Sequence, residues 1–378
     1  MNYQEKYDKR LAMLNGFADH EKLDYVPVAS MAQTWAMDYA GETAETTFTS
    51  VEKEFEVYGK HLKELDFDAT ALFGMNRPLQ LYNSLGYSAF FFSKDHITLQ
   101  HQDNRIINDD EIEEYIQNPL KFIRNKGLYR RYPVLRQDFP TDIAALGEGL
   151  KMMMAFGEKN AQIPEYLRNH VGAPCFGGDL MEPALDRYIC YRSFQNGMAD
   201  LRRRPQLVLD ALEATYPLVA PTPLPKQPFP WAFFPVVTAT YLSRKMFDKF
   251  FWPTAKRSIE GILNTGGKVI VALEGKWAHV YDHFLEFPKG SIICALEDDD
   301  FIQAKKAIGD TVALAGGMPV QLMREGTKQQ NIDYVKNIID ECGSEGIMFM
   351  PSQGLLSPGD VNVDNLRATI DFIHEYTS

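Results

Sequence analysis

The run Val269-Ile270-Val271-Ala272-Leu273 is apolar at every position and stops at Glu274 and Gly275. A continuous apolar run bounded by turn signals predicts a strand covered on both faces. The same signature recurs along the second half of the chain, alternating with stretches whose apolar residues return at helical spacing. It predicts strands at 174–178, 236–237, 268–273, 291–296, 311–315 and 347–350, and helices over 206–214, 243–263, 277–285, 300–308, 329–342 and 364–374. Between the first two of these strands, the Pro-rich stretch 217–235 reads as a crossing loop, with Phe229, Trp231, Phe233 and Phe234 running through it. In the first half, 25–30 and 68–73 read as short strands. A helix with Tyr7, Leu11 and Leu14 on one stripe precedes them, and an amphipathic helix over 51–65 lies between. Repeated βα units predict a parallel sheet with right-handed crossovers. Eight strand candidates are the number that closes a barrel.

Residues 87–109 break this rhythm. Two β-rich runs flank Lys94-Asp95, which predicts an antiparallel hairpin. The expected fold class is therefore α/β: one (β/α)8 (TIM) barrel domain over 1–378, with an N-terminal helical extension and a small antiparallel excursion at 87–109. Helices are also expected over 109–126 and 144–157, the second carrying Met152, Met153 and Met154. That run is either ligand-facing or a filler of irregular core gaps.

In such a barrel the carboxyl ends of the strands form the active-site mouth. Asp179, Thr238, Glu274, Glu297 and Gln353 all follow predicted strands. Glu274 and Gln353 end the fifth and eighth strands and are expected to meet across the mouth. A carboxyl beside Trp277 in that setting has a raised pKa suited to general acid work; its bland alternative is a salt bridge to Lys276. His279 joins Glu274 and Gln353 as a catalytic candidate. Trp35, Asn76, Asp179, Thr238, Trp277 and Glu297 are the substrate-binding candidates. His279 and His283, four apart on a predicted α-helix, would face one side. With Glu274 as a third donor they make a candidate metal set; an exposed histidine pair is the alternative. Within the acidic run 297–300, Asp299 and Asp300 are expected to cap the following helix.

Composition narrows the function classes. The chain has 378 residues, 45% of them hydrophobic, enough for one large core. The net charge is −12, and the only basic run, Arg202-Arg203-Arg204, precedes Pro205 and is expected on a solvated face. Nucleic acid is excluded, because its binding needs a basic surface. Four cysteines without a C-x-x-C pair point to a reducing compartment. The polar N-terminus and the lack of long apolar runs predict neither a secretory signal nor a membrane span, hence a cytoplasmic protein. Dinucleotide, P-loop, zincin and esterase motifs are missing.

The chain resembles the uroporphyrinogen decarboxylase superfamily in Arg10–Gly16, Asp24–Val28, Leu201–Pro205, Leu285–Gly290, Ala304–Asp310, Gly326-Thr327 and Asp364–Ala368. The resemblance implies a (β/α)8 barrel over essentially the whole chain. It implies one of two activities, tetrapyrrole decarboxylation or zinc-dependent methyl transfer with cobalamin or a corrinoid protein. The arginine-rich loop of the decarboxylases is missing here; their second-strand aspartate corresponds to the Phe73-Gly74-Met75 end, and the Gly-His-Gly turn to Ser352-Gln353-Gly354. The methyltransferase branch is the closer match. Its His-x-Cys and Cys zinc ligands correspond to Ala272, Glu274 and Gln353, of which only Glu274 is a suitable donor. The resemblance thus implies the methyltransferase component of a corrinoid-dependent demethylase, moving a methyl group between a small O- or N-methylated substrate and a corrinoid-binding protein. A second copy of the chain is a further candidate partner. The alternatives are a decarboxylase or lyase of a small carboxylated substrate, and a non-catalytic ligand-binding barrel.

Overall fold

A computed structural model describes residues 2–87, 89–177, 179–222 and 231–378. Gly178 of the third strand candidate and Phe229 of the Pro-rich stretch lie outside the described residues. Of Asp179 only the backbone is described.

The strands are β1 (Ala29–Ser30), β2 (Ala69–Thr70), β3 (Phe90–Phe92), β4 (Leu99–His101), β5 (Asp179–Leu180), β6 (Trp231–Val236), β7 (Lys268–Leu273), β8 (Ile292–Leu296), β9 (Ala313–Met318) and β10 (Ile347–Pro351). Strands β5 to β10 form a parallel sheet in the order β10-β9-β8-β7-β6-β5. β1 pairs with β2, also in parallel. Single parallel bridges then join Val28 to Phe349 and Thr70 to Cys175. The Phe349 amide donates to the Pro27 carbonyl at 2.9 Å, and the Thr70 amide to the Pro174 carbonyl at 2.9 Å. The parallel pairings therefore run from β5 through β10 to β1 and β2, and return to the residues just before β5.

The two-residue period of the strands sorts their side chains into two cores. Ile270 of β7, Ile293 and Ala295 of β8, Ala313 and Ala315 of β9, and Met348 and Met350 of β10 belong to one cluster, closed from below by Leu14, Phe17 and Ala18 of the first helix. Their neighbours Val269, Val271, Ile292, Cys294 and Leu314 pack outward against the helices. Glu274 continues the Ile270–Ala272 face of β7, which aims it at the inner side. This is why an apolar strand can end in a carboxylate: the residue is the first one past the packed layer.

Several expectations need correction. The strand expected at 236–237 starts at Trp231 instead, so the crossing loop ends before it; Pro235 disguised the run, since proline donates no ladder hydrogen bond. Pro217 lies inside the helix Pro205–Val219. The helix expected at 144–157 spans Thr141–His170. The segment after Trp277 is a 3-10 helix, Ala278–Glu286, and not an α-helix. The hairpin forms with β3 antiparallel to β4, Phe90 opposite His101. Asp300 caps the helix Phe301–Ile308 through the Gln303 amide, as expected, whereas Asp299 does not. No helix among the described residues is long and apolar enough to cross a membrane.

Candidate functional site

Past Leu273 the chain turns at Gly275, whose φ of +78° favours glycine. The turn brings the Gly275 amide onto the Glu297 carboxylate at the end of β8. The buried Trp277 fixes the turn from beneath: its indole N–H donates to the Glu274 carbonyl at 3.0 Å and its amide to Asp299 Oδ2 at 2.7 Å. Asp299 also accepts from the Tyr281 hydroxyl at 2.7 Å, so it braces this turn and does not cap a helix.

Three carboxyls converge above this layer. Burial, then the nearby Glu297 and Asp186, pushes Glu274 up to about 7. Burial likewise raises Asp186 to about 6, although the Thr238 side chain and the Val237 amide (3.1 Å) pull against it. Asp186 Oδ1 is buried without a hydrogen-bond partner. Glu297 is raised by burial and by Asp298, and held back by the Gly275 amide and the Gln353 side chain. Among the described residues no cation forms an ion pair with any of the three, and Lys276 does not neutralise Glu274. Carboxyls crowded in this way cannot all ionise together at neutral pH. The arrangement keeps a transferable proton at Glu274 near pH 7.

Of the residues singled out in the sequence, Glu274, Glu297, Thr238 and Gln353 come together here. Gln353 reaches the cluster at Glu297, whose pKa its side chain lowers. Trp277 is core, 1% exposed, with its ring against Phe247 and Phe251 at 5.7 and 6.1 Å. Trp35 is also core, packed between Tyr39 and His61. Asn76 is exposed and accepts from Arg77, away from the carboxyls. The Asp179 side chain lies outside what is described.

His279 does not join the site. A 3-10 helix has about 3.0 residues per turn, so positions four apart diverge by roughly a third of a turn and do not share a side. His279 bonds the Leu242 carbonyl at 3.1 Å, whereas His283 sits between Asp248 at 2.7 Å and Glu286 at 2.9 Å. Among the described residues no three His, Cys, Asp or Glu side chains are grouped to hold a metal ion. A three-ligand thiolate zinc does not suit these strand ends: Ala272 offers a methyl, Gln353 an amide, and the four cysteines are scattered free thiols.

Asp186 is the residue that the sequence reading missed. It lies in the helix Ala184–Arg192 directly after β5. The acidic pair Glu182 and Asp186, spaced one helical turn apart behind a strand end, was the available signal. Of the methionine run, Met152 packs with Leu81 and Leu85 while Met153 and Met154 are exposed.

Residues 232–376 match the model of the uroporphyrinogen decarboxylase (URO-D) family. The chain is also similar in structure to a methyltransferase from Methanosarcina mazei, with a TM-score of 0.61 at 15% identity, over 100% of this chain and 99% of that one. At that identity the likeness concerns the fold. No curated protein matches the chain by sequence. The family match spans β6 to β10, the strands whose ends carry Glu274, Glu297 and Gln353, so this part of the chain is similar to the uroporphyrinogen decarboxylase family.

Proposed function

We propose that this chain is the methyltransferase component of a corrinoid-dependent demethylation system, built on a (β/α)8 barrel. The return of the parallel pairings through Val28 and Thr70 supports the barrel. The full-length structural likeness to a methyltransferase and the missing arginine loop support this branch over tetrapyrrole decarboxylation. The observation that carries the chemistry is Glu274, a carboxyl held near pKa 7 at the end of β7 with no cation paired to it among the described residues.

A small O- or N-methylated molecule sits over the strand ends. Its methyl carbon passes to a nucleophilic acceptor, which a corrinoid protein supplies when docked. The bond from methyl to oxygen or nitrogen breaks, and its electron pair stays on the leaving atom. Glu274 gives that atom its proton, so the product departs as an alcohol, phenol or amine and not as a high-energy anion. Asp186 and Glu297 keep Glu274 protonated beforehand; Thr238 and Gln353 hold those two carboxyls in place.

The test combines the purified protein, a reduced corrinoid protein and a panel of methoxy and N-methyl compounds. A substrate-dependent change in the corrinoid absorbance spectrum is expected for at least one class. An unchanged spectrum across the panel overturns the reading.

A further inference from the structure

Next to the acidic mouth, one residue further along the same helix, lies a basic cluster that the proposed chemistry does not use. Asp186 faces Val237 and Glu274, while its neighbour Arg187 turns toward Glu182 and Tyr191. The Arg187 guanidinium lies 5.5 Å from the Tyr191 ring centre and reaches its hydroxyl at 3.5 Å. Arg131, at the end of the helix Leu128–Arg131, stands 4.7 Å over Tyr87 and 5.9 Å from Tyr132. Among the described residues its one side-chain hydrogen bond goes to the Tyr87 hydroxyl, a long 3.3 Å. Tyr82 is within electrostatic reach of both guanidiniums.

The charges do not balance. Glu182 pairs with Arg187, and no carboxylate among the described residues forms an ion pair with Arg131. The Nε atoms of both Arg131 and Arg187 are buried without a hydrogen-bond partner. A guanidinium taken out of water with an unmet donor is costly unless an acceptor arrives. The planar fork of arginine matches an oxyanion, and tyrosine faces suit a flat apolar body. In a chain of net charge −12, this local positive excess runs against the whole.

We propose that Arg131 and Arg187, walled by Tyr82, Tyr87, Tyr132 and Tyr191, form a subsite for an oxyanion carried on an aromatic ring. If the methyl-transfer reading holds, the substrate is then a methoxylated aromatic acid: its anionic end lies on the arginines and its methoxy group points toward Glu274, past the helix face where Asp186 and Arg187 adjoin. The subsite itself is a binding claim and stands apart from turnover.

Calorimetric titration of the full chain with benzoate, benzamide and inorganic phosphate separates the two. Benzoate is expected to bind, and benzamide, which lacks the charge, at least about tenfold more weakly, the scale of one charged hydrogen bond. Phosphate binding without benzoate binding would make the site one for a free oxyanion and overturn the aromatic part. Arg131→Gln and, separately, Arg187→Gln should each weaken benzoate about tenfold or more, with Arg131→Lys recovering part of the loss. Two variants guard against one that misfolds, and melting curves identify it. Equal affinity for benzoate and benzamide, unchanged affinity in both Gln variants, or no binding of benzoate to the wild-type chain overturns the subsite. If benzoate binds as expected while no methyl transfer is seen, the subsite stands and the methyl-transfer reading falls.

Discussion

Asp68 and Glu274 are both buried or half-buried carboxyls at strand ends, and they behave in opposite ways. Asp68 immediately precedes β2, at its amino end. It accepts from Arg10 Nε at 2.9 Å, the Tyr25 hydroxyl at 2.8 Å, the Val28 amide at 2.9 Å and His374 at 2.8 Å. Burial alone would raise it, but the His374 hydrogen bond and the Arg10 charge outweigh burial, and its carboxyl sits below the ordinary range. Glu274 follows β7, at the carboxyl end, where burial and two further carboxyls act on it. It sits well above the ordinary range. One pole satisfies its charge and ties the two ends of the chain together; the other leaves a carboxyl in deficit. On the proposed barrel, the contrast matches the general division into a stabilising amino-terminal pole and a reactive carboxyl-terminal one.

The comparison breaks first at Asp68. Asp68→Asn removes the buried carboxylate that Arg10, Tyr25, the Val28 amide and His374 share, leaving Arg10 only Asp66 as an ionic partner, and should cost about 3–5 kcal/mol of stability in denaturant unfolding; an unchanged midpoint would mean that the network holds nothing. Glu274→Gln should lower turnover by about 10²-fold or more while the fold survives, because the amide keeps the size and loses the proton. Wild-type turnover, or a large drop in melting temperature, would move Glu274 to the structural pole.

The pH responses sharpen the contrast. Wild-type turnover should fall about tenfold per pH unit above 7 as Glu274 loses its proton, with that limb absent in Glu274→Gln. The signs for stability are opposite. A raised carboxyl contributes stability that is present below its ordinary pKa and lost as pH rises through about 7. Glu274→Gln should therefore be more stable than wild type at pH 8, and not at pH 4, by on the order of 1 kcal/mol after solvent screening. The Asp68 contribution is present at neutral pH and lost in acid. The smallest effect is at Gln353: Gln353→Ala frees Glu297 and should raise KM several-fold with little change in kcat, since an amide orients but transfers no proton.

The carboxyl-terminal half of the fold was legible because its strands are uninterrupted apolar runs: β7 and β10 emerged almost to the residue. β6 was not, because Pro235 sits inside it and Pro217 upstream made the approach look like a loop. Glu274, Glu297, Thr238 and Gln353 were readable from the rule that strand ends face the mouth. Asp186 was hidden in the first turn of a helix, where a carboxylate usually reads as favouring the helix start. His279 misled because hydrophobic spacing does not separate a 3-10 helix from an α-helix over nine residues. The arginine–tyrosine cluster was unreadable in principle, since residues 82, 87, 131 and 187 come from separate stretches of the chain and meet only in the folded structure.

The most direct test is the titration of Glu274 itself in the intact protein, by carbon NMR of glutamate labelled at its side-chain carboxyl. Glu274→Gln identifies its resonance by the signal that disappears. An apparent pKa near 7 is expected, with the resonance shifting when Asp186→Asn removes one neighbouring charge. A value in the ordinary range, near 4.5, unmoved by that substitution, would contradict the claim that the strand end holds a proton for the leaving group.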